Sequence, residues 1–373
     1  MAAVSQDQDQ NQRAGRDIGL DMDDLGLFFH REWNYGSNAI VGWTPVDGGI
    51  EFIVAPVLTL FSATDLHRRI FHGDRLMGAG TFHRVSAALE VEPIFAPLEA
   101  SIASRDPMAL KRLMDPTIRP YIVSKTRERA CFLLDISGFS LFRPEEQAAQ
   151  LSLLWYSLNI AEEKARQHEI HVDLARSTTG DGFYVWNRMK GYRADVDLFC
   201  VLMLALSHHA LQQREVTGPF SPTIRSCFSI GSHYSYHHLD QGSRMENDYI
   251  VGDLTIELAR LIEHAKANQI LIGEFNRLED STGEQSATQD FLKSVEAKLS
   301  GLMNVEMNDL KIAHISAYLT GAKQEGAFQA RRLAVRDKHD MEHHAFNAKV
   351  NLFFWDEDPI YLGLQDVDVA RHF

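Results

Sequence analysis

Two aspartates stand where a chain can put them to chemical use. Asp135 closes the apolar run Cys131-Phe132-Leu133-Leu134 and opens Ile136-Ser137-Gly138-Phe139-Ser140. A run that short and apolar is expected of a buried central strand, so Asp135 falls where a strand meets a glycine-containing loop. A carboxylate there can be presented to a cleft while loop amides face an anion. Asp181 lies in Thr179-Gly180-Asp181-Gly182. Each has an ordinary alternative, because Asp-x-x-Gly is a common turn and Asp-Gly a common type I′ hairpin turn. The pair says more than either member. A strand–helix–hairpin arrangement lays the first strand beside the hairpin, and two acids at adjacent strand ends can share hard divalent cations. Two metals about 3.5–4 Å apart can activate a hydroxyl and neutralise a triphosphate during in-line displacement. Such chemistry needs position and charge rather than a protein nucleophile.

The elements that must position these acids can be read from hydrophobic period and from breakers. Pro144-Glu145-Glu146 opens a helix over about 144–167, with proline and two acids in its first turn. Residues 172–186 read as a hairpin folded at Gly180-Asp181-Gly182. A helix over 195–213, a strand over 223–231, a helix over 254–265 and a strand over 270–272 follow, and 345–354 alternates like a further strand. That order implies an α+β fold, an antiparallel-containing sheet with helices on one face. Ahead of it, residues 1–24 read as a disordered polar tail. Residues 25–98 read as a small β-rich accessory domain, with Asp47-Gly48-Gly49 as the turn of a hairpin. Residues 99–128 read as a helical connector interrupted at Pro107, Pro116 and Pro120. The catalytic domain is then expected over 129–355, with a C-terminal tail over 356–373.

At 373 residues the chain suits two domains and a tail. Its 45% hydrophobic and 24% charged residues are ordinary globular composition. A formal net charge of −14 argues against a broad nucleic-acid or anionic-membrane surface. It does not argue against an anionic small molecule, provided that a local cation or metal offsets the field. Cys131, Cys200 and Cys227 are scattered in apolar runs, which implies core thiols in a reducing compartment. The first residues hold no apolar signal segment, and the apolar stretch 198–206 is too short to span a bilayer. The expectation is a soluble cytoplasmic protein with neither nucleic-acid nor membrane partners.

Three segments, in order, carry a resemblance. Phe132 to Ser140 resembles the opening motif of the class III adenylate and guanylate cyclases, and Thr179-Gly180-Asp181-Gly182 resembles their second metal motif. Val251-Gly252-Asp253-Leu254 with Ala259-Arg260-Leu261 resembles the helix motif that carries their transition-state residues. The likeness covers about residues 129–275. It implies a ferredoxin-like cyclase domain in which Asp135 and Asp181, with Ile136 in the metal set, bind two Mg²⁺ or Mn²⁺ ions. The backbone from Ile136 through Ser137 and Gly138 to Phe139 would hold the triphosphate. Arg260 would come from the partner of a head-to-tail homodimer and stabilise charge at the α-phosphate, an effect typically worth about 10²–10³ in rate.

The departures bear on substrate. Where adenylate cyclases carry a base-reading lysine, four residues before the second aspartate, this chain has Ser177. Three residues before the helix-motif glycine, where Asp or Thr is usual, it has Tyr249. Ile256 replaces the expected asparagine. Altered substrate is the preferred explanation, since decay has no reason to spare both acids. Arg336-Asp337-Lys338-His339 and Ala345-Phe346-Asn347-Ala348-Lys349-Val350-Asn351 also resemble the bacterial pyrimidine cyclases of Pycsar anti-phage systems, which make cCMP or cUMP. That resemblance implies UTP or CTP as substrate, with Lys338 a candidate phosphate ligand. An adenylate or guanylate cyclase and an inactive nucleotide-binding dimerisation module are the alternatives. The pairs His208-His209, His237-His238 and His343-His344 are not expected to bind zinc, because adjacent side chains on a helix or strand point apart.

Overall fold

A computed structural model describes residues 19–216, 218–239, 246–280, 282–324, 327–337 and 339–365. The chain divides into two compact units, one of Met1–Lys125 with Tyr234–Tyr249 and one of Thr126–His233 with Ile250–Phe373.

In the first unit, α1 (Met22–Trp33) is capped by the Asp21 side chain, which accepts from the amide of Asp24. Strands β1 (Asn38–Val46) and β2 (Gly49–Pro56) form the hairpin expected at Asp47-Gly48-Gly49. Helix α2 (Ala79–Leu89) precedes β3 (Ile94–Pro97), which completes a three-stranded sheet, and α3 (Pro107–Ile118) follows. The unit is therefore mixed rather than β-rich, and it starts inside the expected tail. The segment read as a connector is part of its core. Leu110, Met114, Ile118 and Tyr121 pack with Leu25, Phe29, Trp43 and Phe52. Pro107 begins α3 behind the Asp106 cap, and Pro116 falls in its last turns without breaking it. Burial of one face at Leu110, Met114 and Ile118 outweighs the single backbone bond that Pro116 cannot make.

The second unit is built on an eleven-stranded sheet. β4 (Ser124–Ile136) leads to α4 (Pro144–Gln167) and then to the hairpin β5 (Leu174–Thr178) and β6 (Gly182–Asn187). Next come α5 (Tyr192–Glu215), β7 (Ile224–Leu239), β8 (Glu246–Val251), α6 (Asp253–His264) and β9 (Ile270–Gly273), with the part of β7 from Tyr234 on and β8 up to Tyr249 counted in the first unit. Helix α7 (Thr288–Leu299) and strands β10 (Leu310–Leu319), β11 (Arg332–Arg336), β12 (Glu342–Phe354) and β13 (Ile360–Leu362) complete it. Along the sheet the order is β10-β12-β9-β7-β4-β6-β5. β11 and β13 are added on β12, β8 on β7, and the two-residue strand Glu306–Met307 on β10, which makes the eleven. β7 and β9 are parallel, whereas β4–β6, β5–β6 and β9–β12 are antiparallel. The expected α+β class is the observed one. β13 lies inside the segment expected to be a C-terminal tail, because its backbone pairs with β12 at Val350, Asn351 and Leu352.

The side-chain period of two divides the chemistry of β4. Phe132, Leu134 and Ile136 face a large core with α4, α5 and α7, whereas Cys131 and Leu133 face a smaller one with α6. Helices thus cover both faces rather than the one face expected. α5 is long and apolar enough to cross a membrane by length and composition, but its apolar window lies wholly inside the fold. A helix apolar all round belongs in a core.

Gly182 sets the approach of β6 to β4. A Cβ there would lie 1.9 Å from the Leu134 carbonyl oxygen. Gly182→Ala should therefore cost about 2–3 kcal/mol or more, read as a lower denaturation midpoint. An unchanged midpoint would mean that the hairpin shifts at no cost.

Candidate active site

β4 presents Asp135 on the same face as Cys131 and Leu133, directly opposite Gly182 of β6. Asp181 is the residue before Gly182, and its carbonyl oxygen accepts the Ile136 amide at 3.0 Å. Thr179 Oγ1 donates to Asp181 Oδ1 at 3.2 Å, which steadies the turn. The two acids expected at adjacent strand ends are thus brought together.

Asp135 is 5% exposed, and its Oδ2 accepts from Arg225 Nε at 2.6 Å. Burial pushes its carboxyl above the ordinary range. Arg225 pulls it back, and Asp181 adds to the rise as a like charge and as a hydrogen-bond partner of the protonated form. Arg225 comes from β7, two residues before Cys227 on the α6 face, and its Nη1 also donates to the Ala265 carbonyl beyond α6 at 3.1 Å. Sequence reasoning missed this residue. Its signal was one charge in the apolar strand Ile224-Arg225-Ser226-Cys227-Phe228, where an unpaired cation would be costly.

The turn after β4 differs from the expectation in one respect. The Ile136 amide is taken by Asp181, and the Ser137 amide donates to the Thr223 carbonyl at 2.8 Å. Neither is left for a phosphate. The amides of Gly138 and Phe139 have no hydrogen-bond partner among the described residues. Gly138 has φ +70°, a left-handed value that glycine adopts without strain, and it turns the chain there. Gln147 Nε2 donates to the Phe139 carbonyl and holds the turn against α4.

Ser177 on β5 is half-buried and pairs with Tyr184 of β6, which in turn pairs with Leu133. Tyr184 donates its hydroxyl to the Thr255 carbonyl of α6 at 3.2 Å. Burial raises its hydroxyl to about 12, with smaller contributions from Cys131, Cys227 and Asp135. The α6 face thus holds Asp135, Ser177 and Tyr184 on neighbouring strands. Tyr184 was another residue not singled out, because a tyrosine in a strand looks like ordinary packing. Tyr249 on β8 is exposed and belongs to the first unit, and Ile256 is exposed on α6.

Arg260 on α6 is tied within its own chain. Its Nε lies 3.3 Å from Asp337 Oδ2, and Nη1 lies 3.1 Å from Glu263 Oε1. Asp337 is held by the amides of His339 and Met341. The Met341 bond leads in keeping its carboxyl below the usual range, and burial opposes it. The Arg336-Asp337-Lys338-His339 motif thus meets Arg260 through Asp337, while Lys338 lies outside the described residues. His208 Nδ1 faces Ser157 Oγ at 3.0 Å, and His209 Nε2 faces the Pro222 carbonyl at 2.8 Å, so adjacent histidines do point to different partners.

Two neighbouring carboxylates suit hard divalent cations, which take oxygen ligands and complete their shells with water and substrate phosphates. Among the described residues no group of three or more His, Cys, Asp or Glu gathers to hold a metal. Asp135 and Asp181 are the two acids that could take part in holding one.

No family model matches the sequence, and no curated protein matches it. Among solved structures, similarity is found to the catalytic core of a rhodopsin-guanylyl cyclase with converted specificity in complex with ATPαS. The identity is 13% and the TM-score 0.35, over 61% of this chain and 97% of that one. The guanylate cyclase domain of RhGC from Catenaria anguillulae in complex with GTP is similar at 14% identity and TM-score 0.36, over 60% and 97%. The adenylyl cyclase CyaB from P. aeruginosa is similar at 14% identity and TM-score 0.36, over 63% and 97%. At such identities and scores, the function has to be argued from this chain's own residues.

A carboxyl held up in the folded chain favours folding while protonated, and that contribution is lost as pH rises through its folded value. At about pH 7.5, Asp135→Asn should therefore unfold at or above the parent's temperature when divalent cations are absent. Mn²⁺ should raise the parent's Tm by about 3 °C and leave the variant's unchanged. Thermal unfolding with and without Mn²⁺ checks both. A less stable metal-free variant would mean that the bond from Arg225 outweighs the cost of burial.

Proposed function

We propose that this chain is a metal-dependent nucleotidyl cyclase, closing a nucleoside triphosphate into a 3′,5′-cyclic monophosphate with release of pyrophosphate. The observation that carries this is the apposition of Asp135 and Asp181 at adjacent strand ends, beside a turn with unengaged amides at Gly138 and Phe139. It is joined by the three-motif resemblance to the class III cyclases, whose elements follow here in the implied order. Two Mg²⁺ or Mn²⁺ ions would supply activation of the 3′-hydroxyl and neutralisation of the phosphates. Asp135 and Asp181 are the side-chain ligands, with the Ile136 position between them and the turn. Gly138 and Phe139 donate to the phosphates, and Ser137 shapes the turn through its bond to Thr223. Arg225 holds Asp135 in place on the α6 face and offsets its charge.

For substrate we favour UTP or CTP. Ser177 can donate and accept, and Tyr184 beside it supplies bulk that suits a small base. Tyr249 and Lys338 are carried in this reading from the resemblance alone, as base and phosphate contacts. The product would be a second messenger in the cytoplasm, and the looser resemblance to Pycsar cyclases makes anti-phage defence its proposed setting. Arg260 would act across a homodimer on the partner's substrate, after exchanging Asp337 for the phosphate. A second reading, an inactive nucleotide-binding dimerisation module, is favoured by Ile256 at the asparagine position and by the engagement of Arg260 with Asp337.

Purified protein incubated separately with ATP, GTP, CTP and UTP plus Mn²⁺ should yield a cyclic pyrimidine product, resolved by chromatography and mass. Asp181→Ala should reduce the yield by at least about 10²-fold. A cyclic purine would sink the substrate assignment and keep the chemistry. No product from any nucleotide would favour the inactive module.

The dimeric site has its own test. Asp135→Ala and Arg260→Ala should each be inactive alone, whereas mixed chains should regain up to about a quarter of parental activity through heterodimers with one intact site. Failure to complement, with dimers present, would place Arg260 outside the partner's site.

A further inference from the structure

The turn between β11 and β12 reaches the arginine that the proposed chemistry needs. Leu333 and Val335 of β11 pack in one core with Leu258 and Leu261 of α6. Alternation along the strand then carries Asp337 to the side where Arg260 lies. His343 of β12 stands opposite Val335 and joins them from the neighbouring strand. The turn itself is built around the acid. The Asp337 amide donates to the Met341 carbonyl at 3.0 Å. Asp337 Oδ1 accepts from the amides of His339 at 2.8 Å and Met341 at 2.9 Å.

The other carboxylate oxygen lies between two donors. Arg260 Nε is 3.3 Å from Asp337 Oδ2, and His343 Nε2 is 3.8 Å from it. All three atoms are shut off from solvent, and none makes a well-formed hydrogen bond among the described residues. Buried polar atoms are normally satisfied, and exceptions call for an explanation. Here a small shift of the carboxylate closes on either neighbour. A carboxylate only accepts, so the imidazole meets it through an N–H.

That sharing lowers the cost of letting Arg260 go. Removing one member of a buried ion pair ordinarily strands the other charge. Asp337 would instead keep its two amides and turn to His343. Arg260 would keep only the exposed Glu263, a contact that water screens, and its Nη2 has no partner among the described residues. The surrounding charges are engaged elsewhere. Arg336 of β11 pairs with Asp340 and Glu342, and His344 of β12 pairs with Glu342 and Glu274.

Resting on the cyclase reading, in which Arg260 serves the phosphates, we propose that the β11–β12 turn is an autoinhibitory clasp. Asp337 competes with the substrate's phosphates for Arg260, and His343 takes over the carboxylate when the clasp opens. Carboxylate and phosphate oxygens make the same demand on a guanidinium, so one displaces the other. The active population is then the fraction of chains whose Arg260 is free, and turnover falls by that fraction.

Phenylglyoxal, which modifies free guanidinium groups, reads the clasp without turnover, with the modified peptides of the full chain quantified by mass. Asp337→Asn keeps an oxygen for the two amides and drops the charge. In that variant Arg260 should be modified about 5-fold faster than in the parent, each measured relative to Arg332 of the same chains. With whichever nucleotide the parent cyclises, kcat of Asp337→Asn should rise about 3–10-fold. Adding Arg260→Ala to it should return activity to the level of Arg260→Ala alone. His343→Phe, which removes the second donor, should slow both modification and turnover by at least about 2-fold. An unchanged relative rate at Arg260 in Asp337→Asn would overturn the clasp. Faster modification with a lower kcat would overturn the inhibitory role and make Asp337 a residue that positions Arg260. A His343→Phe variant that matches the parent in both readouts would overturn the handover. Faster modification with no cyclic product from parent or variant would sink the cyclase reading, and the inhibitory role with it, while the clasp itself stood.

Discussion

The second unit is organised around a carboxylate that its own burial opposes. Asp135 lies on a central strand, almost out of solvent, next to Asp181 and answered by the guanidinium of Arg225. A buried ion pair returns little net stability once the desolvation of both groups is counted. The arrangement is therefore poor economy for a scaffold, and the cation proposed for it would give it a use. β4, β6 and β7 must lie in this order for the three side chains to meet. Gly182 must lack a Cβ for β6 to come close enough.

The two faces of the sheet divide the labour. One face packs α4, α5 and α7 into a large apolar core that includes Phe199, Phe228 and Phe291. The other carries α6 on a smaller core, with Asp135, Ser177, Tyr184 and Arg225 on strands beside it. Since each strand alternates, every residue of β4 that stabilises the large core alternates with one available to the α6 face. A one-residue slip of register would bury Leu134's neighbour charges among the phenylalanines. The packing of the core thus protects the geometry of the site.

Much of the candidate site was legible beforehand. The metal-type acids were marked by position, Asp135 after an apolar run and Asp181 within a glycine turn, and both lie where those signals implied. The helices over 144–167 and 254–265 announced themselves through proline, acids and period. The mixed character of the first unit did not, because α1 and α2 are short segments beside strong strand signals, where short apolar runs do not separate helix from strand. Nor did the role of 99–128. Its prolines read as interruptions, while Pro107 in fact starts α3 and Pro116 is carried by the burial of its neighbours.

The sequence by itself determined the identities and spacing of Asp135, Asp181 and Arg260, the alternation of β4, and the α+β order of the elements. Those are local properties, set by side-chain type, period and turn chemistry. Only the tertiary structure decided that Arg225 is the counter-charge of Asp135, that Tyr184 stands across from Ser177, and that Asp337 holds Arg260. It also decided that the Ile136 and Ser137 amides are spent within the fold, while those of Gly138 and Phe139 meet no partner among the described residues. Each of these joins residues far apart in the chain. Such pairings follow from which strands become neighbours and which face each residue takes, and no local pattern carries that information.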